Sequence, residues 1–236
     1  MIRNEHGQPV GEDVAGWTTR PPAAPTLLEG RTVRLEALAE RHADDLWTAL
    51  VEESPDALWT YLPYGPFAER TAFDAHVARL EADSALAPLA VVVEGRAAGV
   101  SAYLREDRAH GCVEVGHVAL GARLQRTTAA TEATYLMMRH VLDERDGLGY
   151  RRFEWKCDAL NAPSRHAAER FGFTFEGVFR QDKVVKGRSR DTAWFSVVDH
   201  EWPRLRAAYE NWLAASNFDE GGAQRRSLRD LREATS

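Results

Sequence analysis

The stretch from Glu114 to Glu132 has the residue types and the order expected of a phosphate-binding turn. A strand predicted from Glu114 to Leu120 passes through a short loop into a helix that opens at Thr127 or Thr128. The first amides of a helix have no intrahelical acceptor and lie at the positive end of the helix dipole, so such a turn binds phosphate or pyrophosphate through its backbone. Neighbouring side chains add positive charge and hydroxyl donors: Arg123, Arg126, Thr127, Thr128 and Thr131.

The composition restricts the class of protein that could present this turn. The 236 residues suffice for one domain with a substantial core, and no apolar run of about 18 residues could span a membrane. The N-terminal residues do not have the apolar core of a secretory signal, and Cys112 and Cys157 lack the spacing of a disulfide framework or a zinc site. A formal charge of −6 argues against broad nucleic-acid binding. We therefore expect a cytoplasmic protein without metal, nucleic-acid or membrane partners.

Periodicity divides the chain into three parts. Residues 1–25 are rich in proline and glycine and predict an extended arm, which Trp17 would hold to the body at one point. Residues 26–215 predict a single domain, and residues 216–236 are charged and aperiodic, which favours a loose tail. Within the domain, strand and helix patterns alternate in the order of an α/β (α+β) layer fold with a mixed sheet. Strands are predicted at 31–38, 89–93, 99–104, 114–120, 151–158, 175–185 and 192–198, and helices at 40–52, around 73–80, after 127, at 161–171 and from 202.

Two other segments could contribute to a site. Residues 54–67 hold Trp59, Tyr61 and Tyr64 among three prolines, which is too aromatic for a solvated loop. Either the segment forms the wall of a substrate cleft or it packs in the core. A basic patch at the tip of the last hairpin is either a solvated turn or a surface for an acidic acceptor or partner. Its residues are Lys183, Lys186, Arg188 and Arg190.

Three pieces of the second half, in the right order, resemble the GNAT superfamily of N-acyltransferases. The resemblance extends over residues 26–213 and is greatest to the branch that acetylates the N termini of ribosomal proteins. The first piece resembles the family's Q/R-x-x-G-x-G/A loop: Gln125, Arg126, Thr127, Thr128, Ala129 and Ala130. The second resembles an N-x-x-S helix followed by Gly-Phe: Asn161, Ser164, Gly172 and Phe173. The third is the run FEGVFR at 175–180 with Gly187, Asp191 and Glu201-Trp202.

The resemblance implies a mostly antiparallel central sheet flanked by helices, with splayed fourth and fifth strands. It implies acetyl-CoA as acyl donor, with its pyrophosphate on the loop from Gln125 to Ala130. The pantetheine arm would pair with the backbone of Val118 and Leu120 on the fourth strand, a form of β-augmentation. Asn161 would anchor the pantetheine amide, cap its helix, or do both.

The sequence departs from the family pattern at two positions. Thr128 stands where the family has a glycine for close backbone approach to the pyrophosphate. Either its hydroxyl takes part in binding, which we favour because threonine is a normal residue at a helix start, or the loop is distorted. Ala168 stands where many members carry a tyrosine acid, so that role, if it is needed, falls to another residue.

The implied reaction is direct attack of an amine on the thioester. A lysine amine with a pKa of about 10.4 needs a base far more than an α-amine with a pKa near 8. Our candidate base is Glu114, eleven residues before Gln125, a spacing that resembles the catalytic glutamate of some family members; alternatively it forms a structural ion pair. His117 is the second candidate. Ser164 is the candidate donor to the thiolate, or else a helix cap.

We therefore predict an acetyl-CoA-dependent N-acetyltransferase that acts on a primary amine in a ternary complex. The acceptor would be a protein N terminus or a small molecule, such as an amino acid, a polyamine or an antibiotic. A module that binds acyl-CoA without turnover is the alternative from another class, supported by Thr128 and Ala168. The last hairpin is a plausible surface for a homodimer.

Overall fold

The computed structural model describes residues 2–234. The strands are β1 (Ile2–Arg3), β2 (Pro9–Val10), β3 (Leu27–Glu29), β4 (Arg34–Ala37), β5 (Leu86–Val93), β6 (Arg96–Asp107), β7 (Cys112–Leu120), β8 (Arg152–Asp158), β9 (Thr174–Val185) and β10 (Arg188–Val198). The α-helices are α1 (Ala43–Trp47), α2 (Arg70–Ala82), α3 (Thr128–Leu142), α4 (Ala162–Phe171), α5 (Trp202–Leu213) and α6 (Leu228–Ala234). The predicted helix 40–52 is a 3₁₀ turn, α1 and a π turn in succession.

One eight-stranded sheet organises the domain, with the strand order β3-β4-β5-β6-β7-β8-β10-β9. Every neighbouring pair is antiparallel except β7 and β8, which are parallel. This pair corresponds to the family's fourth and fifth strands. It is paired only from Cys112 opposite Arg152 to Val115 opposite Trp155, although both strands continue. The predicted mixed, mostly antiparallel sheet with splayed fourth and fifth strands is confirmed, and the structure adds that this pair is parallel.

The two faces of the sheet carry separate cores. The larger core lies between the sheet and helices α3 to α6, and β8 contributes its alternate residues Phe153, Trp155 and Cys157 to it. The smaller core lies between the other face and α1, α2 and residues 54–67. Trp59 is 1% exposed in this second core. Part of the aromatic segment at residues 54–67 therefore packs in the core, which was one of the two alternatives predicted for it.

The last hairpin and the C-terminal segment differ from the predictions. Strand β10 begins at Arg188, not near 192, because Lys186 and Gly187 (φ 48° and 72°) form a tight two-residue turn. The expectation of a loose tail is wrong for residues 217–234, because Leu228 and Leu231 of α6 are buried against α5 and α4. The prediction overlooked this helix because its only large apolar residues are Leu228 and Leu231, within a segment that is otherwise mostly charged. Residues 235–236 lie outside the described part.

The N-terminal arm is attached to the domain at more than one point. The Trp17 Nε1 donates a hydrogen bond to the Ala109 carbonyl at 2.7 Å, and the Arg20 guanidinium lies over the Trp17 ring at 4.2 Å. Farther along, the Tyr150 hydroxyl donates to the Pro21 carbonyl at 2.9 Å. Trp17 is thus an anchor, but not a solitary one. Across residues 2–234, the helices are too short or too polar to cross a bilayer.

Candidate active site

Thr127 shapes the loop between β7 and α3. It is the N-cap of α3: its Oγ1 accepts a hydrogen bond from the Ala130 amide at 3.1 Å and donates one to the Leu124 carbonyl at 2.7 Å. The residue before it, Arg126, has a left-handed backbone (φ 63°), which costs a residue other than glycine about 1–2 kcal/mol. The predicted helix start is confirmed, with Thr127 as the cap and Thr128 as the first helical residue.

This loop presents unpaired donors to an anion. The amides of Arg126, Thr128 and Ala129 make no hydrogen bond within residues 2–234, and two of them belong to the first turn of a 15-residue helix. The Thr128 hydroxyl lies beside them and also has no partner in the described chain. Because helix N-termini with free amides bind phosphate, the loop has the donors that a phosphate group needs. The Ala130 amide is already occupied by the cap.

Gln125 occupies a different place from the one predicted. Its Nε2 donates to the Leu120 carbonyl at 2.8 Å, so in this structure it braces the end of β7 and does not join the cluster of free amides. The brace connects the last residue of the strand to the loop. A role in pyrophosphate binding would require this side chain to swing out, which its exposed position allows.

Beyond Val115 the β8 side of β7 is an open edge. Gly121 N donates to the Ala98 carbonyl at 2.9 Å, and Leu120 lies opposite Gly99 in the register with β6. Since residues in an antiparallel strand alternate in the direction of their N–H and C=O groups, Leu120 directs these groups away from β6 and into the gap. Val118, two residues earlier, has the same direction. The predicted pantetheine contacts are therefore available.

Glu114 lies in a buried ion cluster. Its neighbours Val113 and Val115 belong to the core beneath α3, so its own side chain faces the sheet surface that carries α1 and α2. The Glu114 Oε2 lies 3.0 Å from the Lys156 Nζ and 3.5 Å from the Arg105 Nε. Burial raises the pKa of the Glu114 carboxyl, and the two cations only partly oppose this effect. A raised pKa suits a general base, while the ion pair is the structural alternative that the sequence left open.

Lys156 connects Glu114 to the rest of this cluster. Its Nζ is also 2.7 Å from a carboxylate oxygen of Glu154 and 3.6 Å from the centre of the Trp194 ring. The side chain of Lys156 is 6% exposed, so its charge is surrounded almost entirely by these neighbours. Glu154 is paired in addition with Arg152 at 2.7 Å. The protonation of Glu114 is therefore coupled to a network across two strands.

His117 is the second titratable group at the gap. It occupies a β-bulge opposite β6 with a left-handed backbone (φ 52°). The His117 Nδ1 lies 3.2 Å from the Tyr64 hydroxyl, and the two rings are stacked with centroids 5.7 Å apart. Burial lowers the pKa of His117, so the imidazole is neutral at neutral pH. In the tautomer whose Nδ1–H donates to the Tyr64 oxygen, the Nε2 of the neutral imidazole is free to accept a proton.

Ser164 is not the cap of α4. Asn161 caps the helix, because its Oδ1 accepts from the Ser164 amide at 3.1 Å. The Ser164 Oγ accepts a hydrogen bond from the Trp155 Nε1 at 3.0 Å, at the point where β8 leaves β7. The Ser164 hydroxyl also lies beside the Cys157 thiol, where it opposes the rise in the pKa of Cys157 that burial causes. The Ser164 hydrogen can therefore be donated either to Cys157 or to a group that enters the gap.

Two hydrogen bonds tie residues 54–67 across the gap. The Tyr61 hydroxyl donates to the Leu160 carbonyl at 3.2 Å, in the loop after β8. On the other side, the Lys186 Nζ donates to the Trp59 carbonyl at 2.7 Å, so the tip of the last hairpin meets the same segment. The second alternative for the aromatic segment, a cleft wall, therefore also has support.

Sequence reasoning missed the contacts that join distant segments. The contact of Tyr64 with His117 spans 53 residues, and no local pattern predicts it. The pairing of Lys156 with Glu154 was within reach because strand alternation places both on one face, but its contact with Glu114 depends on the parallel register of β7 and β8. No group of three or more His, Cys, Asp or Glu side chains within residues 2–234 could hold a metal ion.

A helix start with free amides beside a splayed parallel strand pair is the arrangement that the resemblance to GNAT acyltransferases predicts. A sequence model described as acetyltransferase (GNAT) domain matches residues 32–174. A crystal structure of a GCN5-related N-acetyltransferase from Brucella melitensis is 45% identical with a TM-score of 0.89, covering 93% of this chain and 100% of that one. A probable GNAT-family acetyltransferase from Chromobacterium violaceum is 40% identical with a TM-score of 0.76, covering 83% and 98%.

The chain belongs to the GNAT acetyltransferase family, whose members transfer an acetyl group from acetyl-CoA to an amine. A crystal structure of RimL, a ribosomal L7/L12 α-N-protein acetyltransferase, shares the fold at 21% identity and a TM-score of 0.61, covering 73% of this chain and 93% of that one. No curated protein matched the sequence. The family and the enzyme class predicted from the sequence are confirmed.

Proposed function

We propose that this enzyme acetylates a primary amine by direct attack within a ternary complex, with Glu114 as the base. The observation that carries the proposal is the position of Glu114. It is buried on the strand whose far end offers an open backbone edge and whose following helix offers free amides. A bound donor would thus run from the α3 start along β7 towards Glu114.

The donor is acetyl-CoA, and the chain's own residues divide its binding. The amides of Arg126, Thr128 and Ala129, with the Thr128 hydroxyl, would hold the pyrophosphate. The backbone of Val118 and Leu120 would pair with the pantetheine arm. The other loop residues predicted to contact the donor, Gln125, Thr127 and Ala130, support the loop through bracing, capping and small size. Asn161 is engaged as a cap, and its amide nitrogen could still reach the pantetheine.

In the reaction the amine nitrogen attacks the thioester carbonyl carbon and the carbon–sulfur bond breaks. The amine proton passes to the Glu114 carboxylate, whose burial-raised pKa improves its strength as an acceptor. The departing thiolate accepts a hydrogen bond from Ser164 and is then protonated to free CoA. A thiolate with a pKa near 8.5 leaves readily, so removing the Ser164 hydroxyl should cost less than removing the base.

His117 is the alternative base, and substitution separates the two candidates. Glu114→Gln keeps the side-chain shape and removes the proton acceptor, and we expect a loss of about 10²–10⁴-fold in kcat/KM. His117→Gln should then cost much less. If Glu114→Gln retains full activity across the pH range while His117→Gln does not, Glu114 is an ion-pair partner and His117 is the base.

The closed geometry favours a small amine, or the end of a peptide, over a broad protein surface. The hydrogen bonds of Tyr61 and Lys186 fix residues 54–67 to the loop after β8 and to the tip of the last hairpin, and we propose that the acceptor enters between these two contacts. The similarity to the ribosomal N-terminal branch is compatible with an end-on N terminus, since an α-amine near pKa 8 is already partly neutral.

The test is an acceptor screen with release of free thiol as the readout. Purified protein with acetyl-CoA is offered amino acids, polyamines, aminoglycosides and N-terminal peptides, and thioester hydrolysis is subtracted. We expect amine-dependent turnover that falls in Glu114→Gln and, by a smaller factor, in Ser164→Ala. Arg188→Gln, which removes an exposed charge, is the matched control. Acetyl-CoA binding without turnover towards any amine would instead indicate a sensor and overturn the proposal.

A homodimer through the last hairpin remains a prediction. Strand β9 is the outer strand of the sheet and exposes several large apolar side chains: Phe175, Val178, Phe179 and Val184. A long apolar edge of this kind tends to pair with another chain. Analytical ultracentrifugation of the protein and of Val184→Lys tests this surface, and a monomer at high concentration would contradict it. The cytoplasmic location likewise stays a prediction.

A further inference from the structure

The last hairpin places two cations opposite one another. Arg190 of β10 lies directly across from Lys183 of β9 in the antiparallel register. Like charges at directly opposed positions destabilise a strand pair. Lys183 is exposed and Arg190 is half-buried, and neither side chain forms an ion pair within residues 2–234, whereas the half-buried Arg152 and Lys156 of the same sheet do. The juxtaposition therefore has a cost that no ion pair of the described chain offsets.

Both cations face the side of the sheet that carries Glu114. Ala193 and Phe195 of β10 are buried in the core beneath the helices, so the alternate residues, including Arg190 and Trp194, face the opposite side. Lys156 packs on Trp194 from there. The bulge near this point lies in β9, and it leaves the alternation of β10 intact.

Buried donors on this surface lack partners. The Arg190 Nε and the Trp194 Nε1 are both buried and have no hydrogen-bond partner in the described chain. Buried N–H groups without acceptors are rare in folded proteins. The nearby carboxylates are engaged: Asp182 accepts from the Thr192 hydroxyl at 2.7 Å, and Asp191 accepts from the Gln181 amide at 2.7 Å.

Lys183 interacts electrostatically with both candidate bases. Burial and the charge of Lys183 both lower the pKa of His117. The pKa of Lys183 is itself lowered, mainly by burial, and the charge of Glu114 partly opposes this effect. Arg105, in contact with Glu114, acts on Lys183 as well. Lys156 contacts both Trp194, on the strand of Arg190, and Glu114, so this surface of the last hairpin adjoins the candidate base.

We propose that the acceptor amine carries an anionic group, a carboxylate or a phosphate, which binds between Arg190 and Lys183. The proposal rests on the proposed acetyl transfer and specifies its substrate class. An anion there would separate the opposed charges and supply an acceptor to the buried Arg190 Nε. The remaining cations of the hairpin tip take other roles: Lys186 is bonded to the Trp59 carbonyl, and Arg188 is exposed.

The experiment compares matched acceptors that differ only in the anionic group. One arm uses ω-amino acids of increasing length with their carboxamides. A second arm uses peptides that begin Ser-Glu or Ser-Gln, which distinguishes a small molecule from a peptide as the source of the carboxylate. Initial rates of thiol release give kcat/KM for each. The wild-type enzyme should prefer the anionic member of the productive pair by about 10- to 100-fold.

Variants of the two cations test the assignment. Arg190→Gln and Lys183→Gln should each reduce kcat/KM for the anionic acceptor by about 10-fold or more, mainly through KM, and leave the neutral analogue and acetyl-CoA affinity unchanged. Arg188→Gln removes a charge from the exposed tip of the same hairpin. It should leave kcat/KM unchanged for both the anionic and the neutral acceptor. Lys183→Arg keeps the positive charge and should retain the preference for the anionic acceptor that Lys183→Gln loses.

Two outcomes would overturn the subsite. Equal rates for charged and neutral acceptors in the wild type would leave acetyl transfer intact and remove only this inference. A uniform loss for both acceptors in Arg190→Gln and Lys183→Gln, with thermal stability unchanged, would show that the cations serve the active site without reading the anion. Absence of turnover with every amine would refute the acetyl transfer itself.

Discussion

Replacing Lys156 by methionine tests whether Glu114 is the group that controls the reaction. The Lys156 Nζ lies 3.0 Å from Glu114, and both side chains are less than 10% exposed. An opposite charge at this separation lowers a carboxyl pKa by about 1–3 units. Because Arg105 remains 3.5 Å away, we expect the lower part of this range. The pKa of Glu114 should rise by about one unit, equivalent to about 1.4 kcal/mol.

The assay is the pH dependence of kcat/KM for the wild type and Lys156→Met. If Glu114 must be ionised to accept the amine proton, the acidic limb of the profile should move upward by about one unit. Arg188→Gln removes an exposed charge at the tip of the last hairpin and should leave the acidic limb of the profile in place. An activity that falls at all pH values without a shift of the limb would refute the role of Glu114 as the titrating base.

Stability gives a second readout with a defined sign. The folded-state pKa of Glu114 is raised above its ordinary value. The stability associated with its protonated form is fully present below the unfolded-state pKa and is lost as the pH rises through the folded-state pKa. Lys156→Met increases this shift, so its loss of unfolding free energy relative to wild type should be small near pH 4 and larger at pH 7. Urea denaturation at both pH values measures the difference.

Three further predictions concern the fold. Glu132→Ala should lower the free energy of unfolding by about 2–4 kcal/mol in urea denaturation. The Glu132 carboxylate accepts hydrogen bonds from the backbone amides of Arg31 and Thr32 and from the Thr32 hydroxyl, and Glu132→Gln should lose less stability. Leu231→Ala should cost about 2–4 kcal/mol because α6 is part of the core; a loss below 0.5 kcal/mol would restore the loose tail. Trp17→Ala should speed proteolysis of the N-terminal arm without changing kcat, and an unchanged cleavage rate would contradict its anchoring role.

The order of elements in the domain could be predicted because local physics fixes it. Residues 151–158 alternate so strictly that only a strand buries Phe153, Trp155 and Cys157 together, and the structure has β8 there. Asn161, Pro163 and Gly172 mark the ends of α4, and Gly172 adopts the expected left-handed conformation at φ 101°. The C-terminal helix escaped notice because its seven residues carry too short a pattern.

The candidate site could be predicted only where it is contiguous in sequence. The loop from Gln125 to Ala130 and the strand edge at Val118 and Leu120 belong to one strand–loop–helix unit, whose donors follow from backbone geometry alone. The environment of Glu114 could not be predicted, since its partner Lys156 is brought beside it by a parallel strand pair. The same holds for Tyr64 against His117 and for the opposed cations Arg190 and Lys183, which depend on a bulge in β9.

The sequence by itself determined the helix and strand periods, the capped helix start and the family to which the chain belongs. These depend on hydrophobic spacing and on hydrogen bonds between residues a few positions apart. Only the tertiary structure decided the state of Glu114, the contacts of residues 54–67 across the gap and the cation pair on the hairpin. Those properties arise from burial and from charges on strands far apart in sequence, and electrostatic energies depend on distance and solvent exposure.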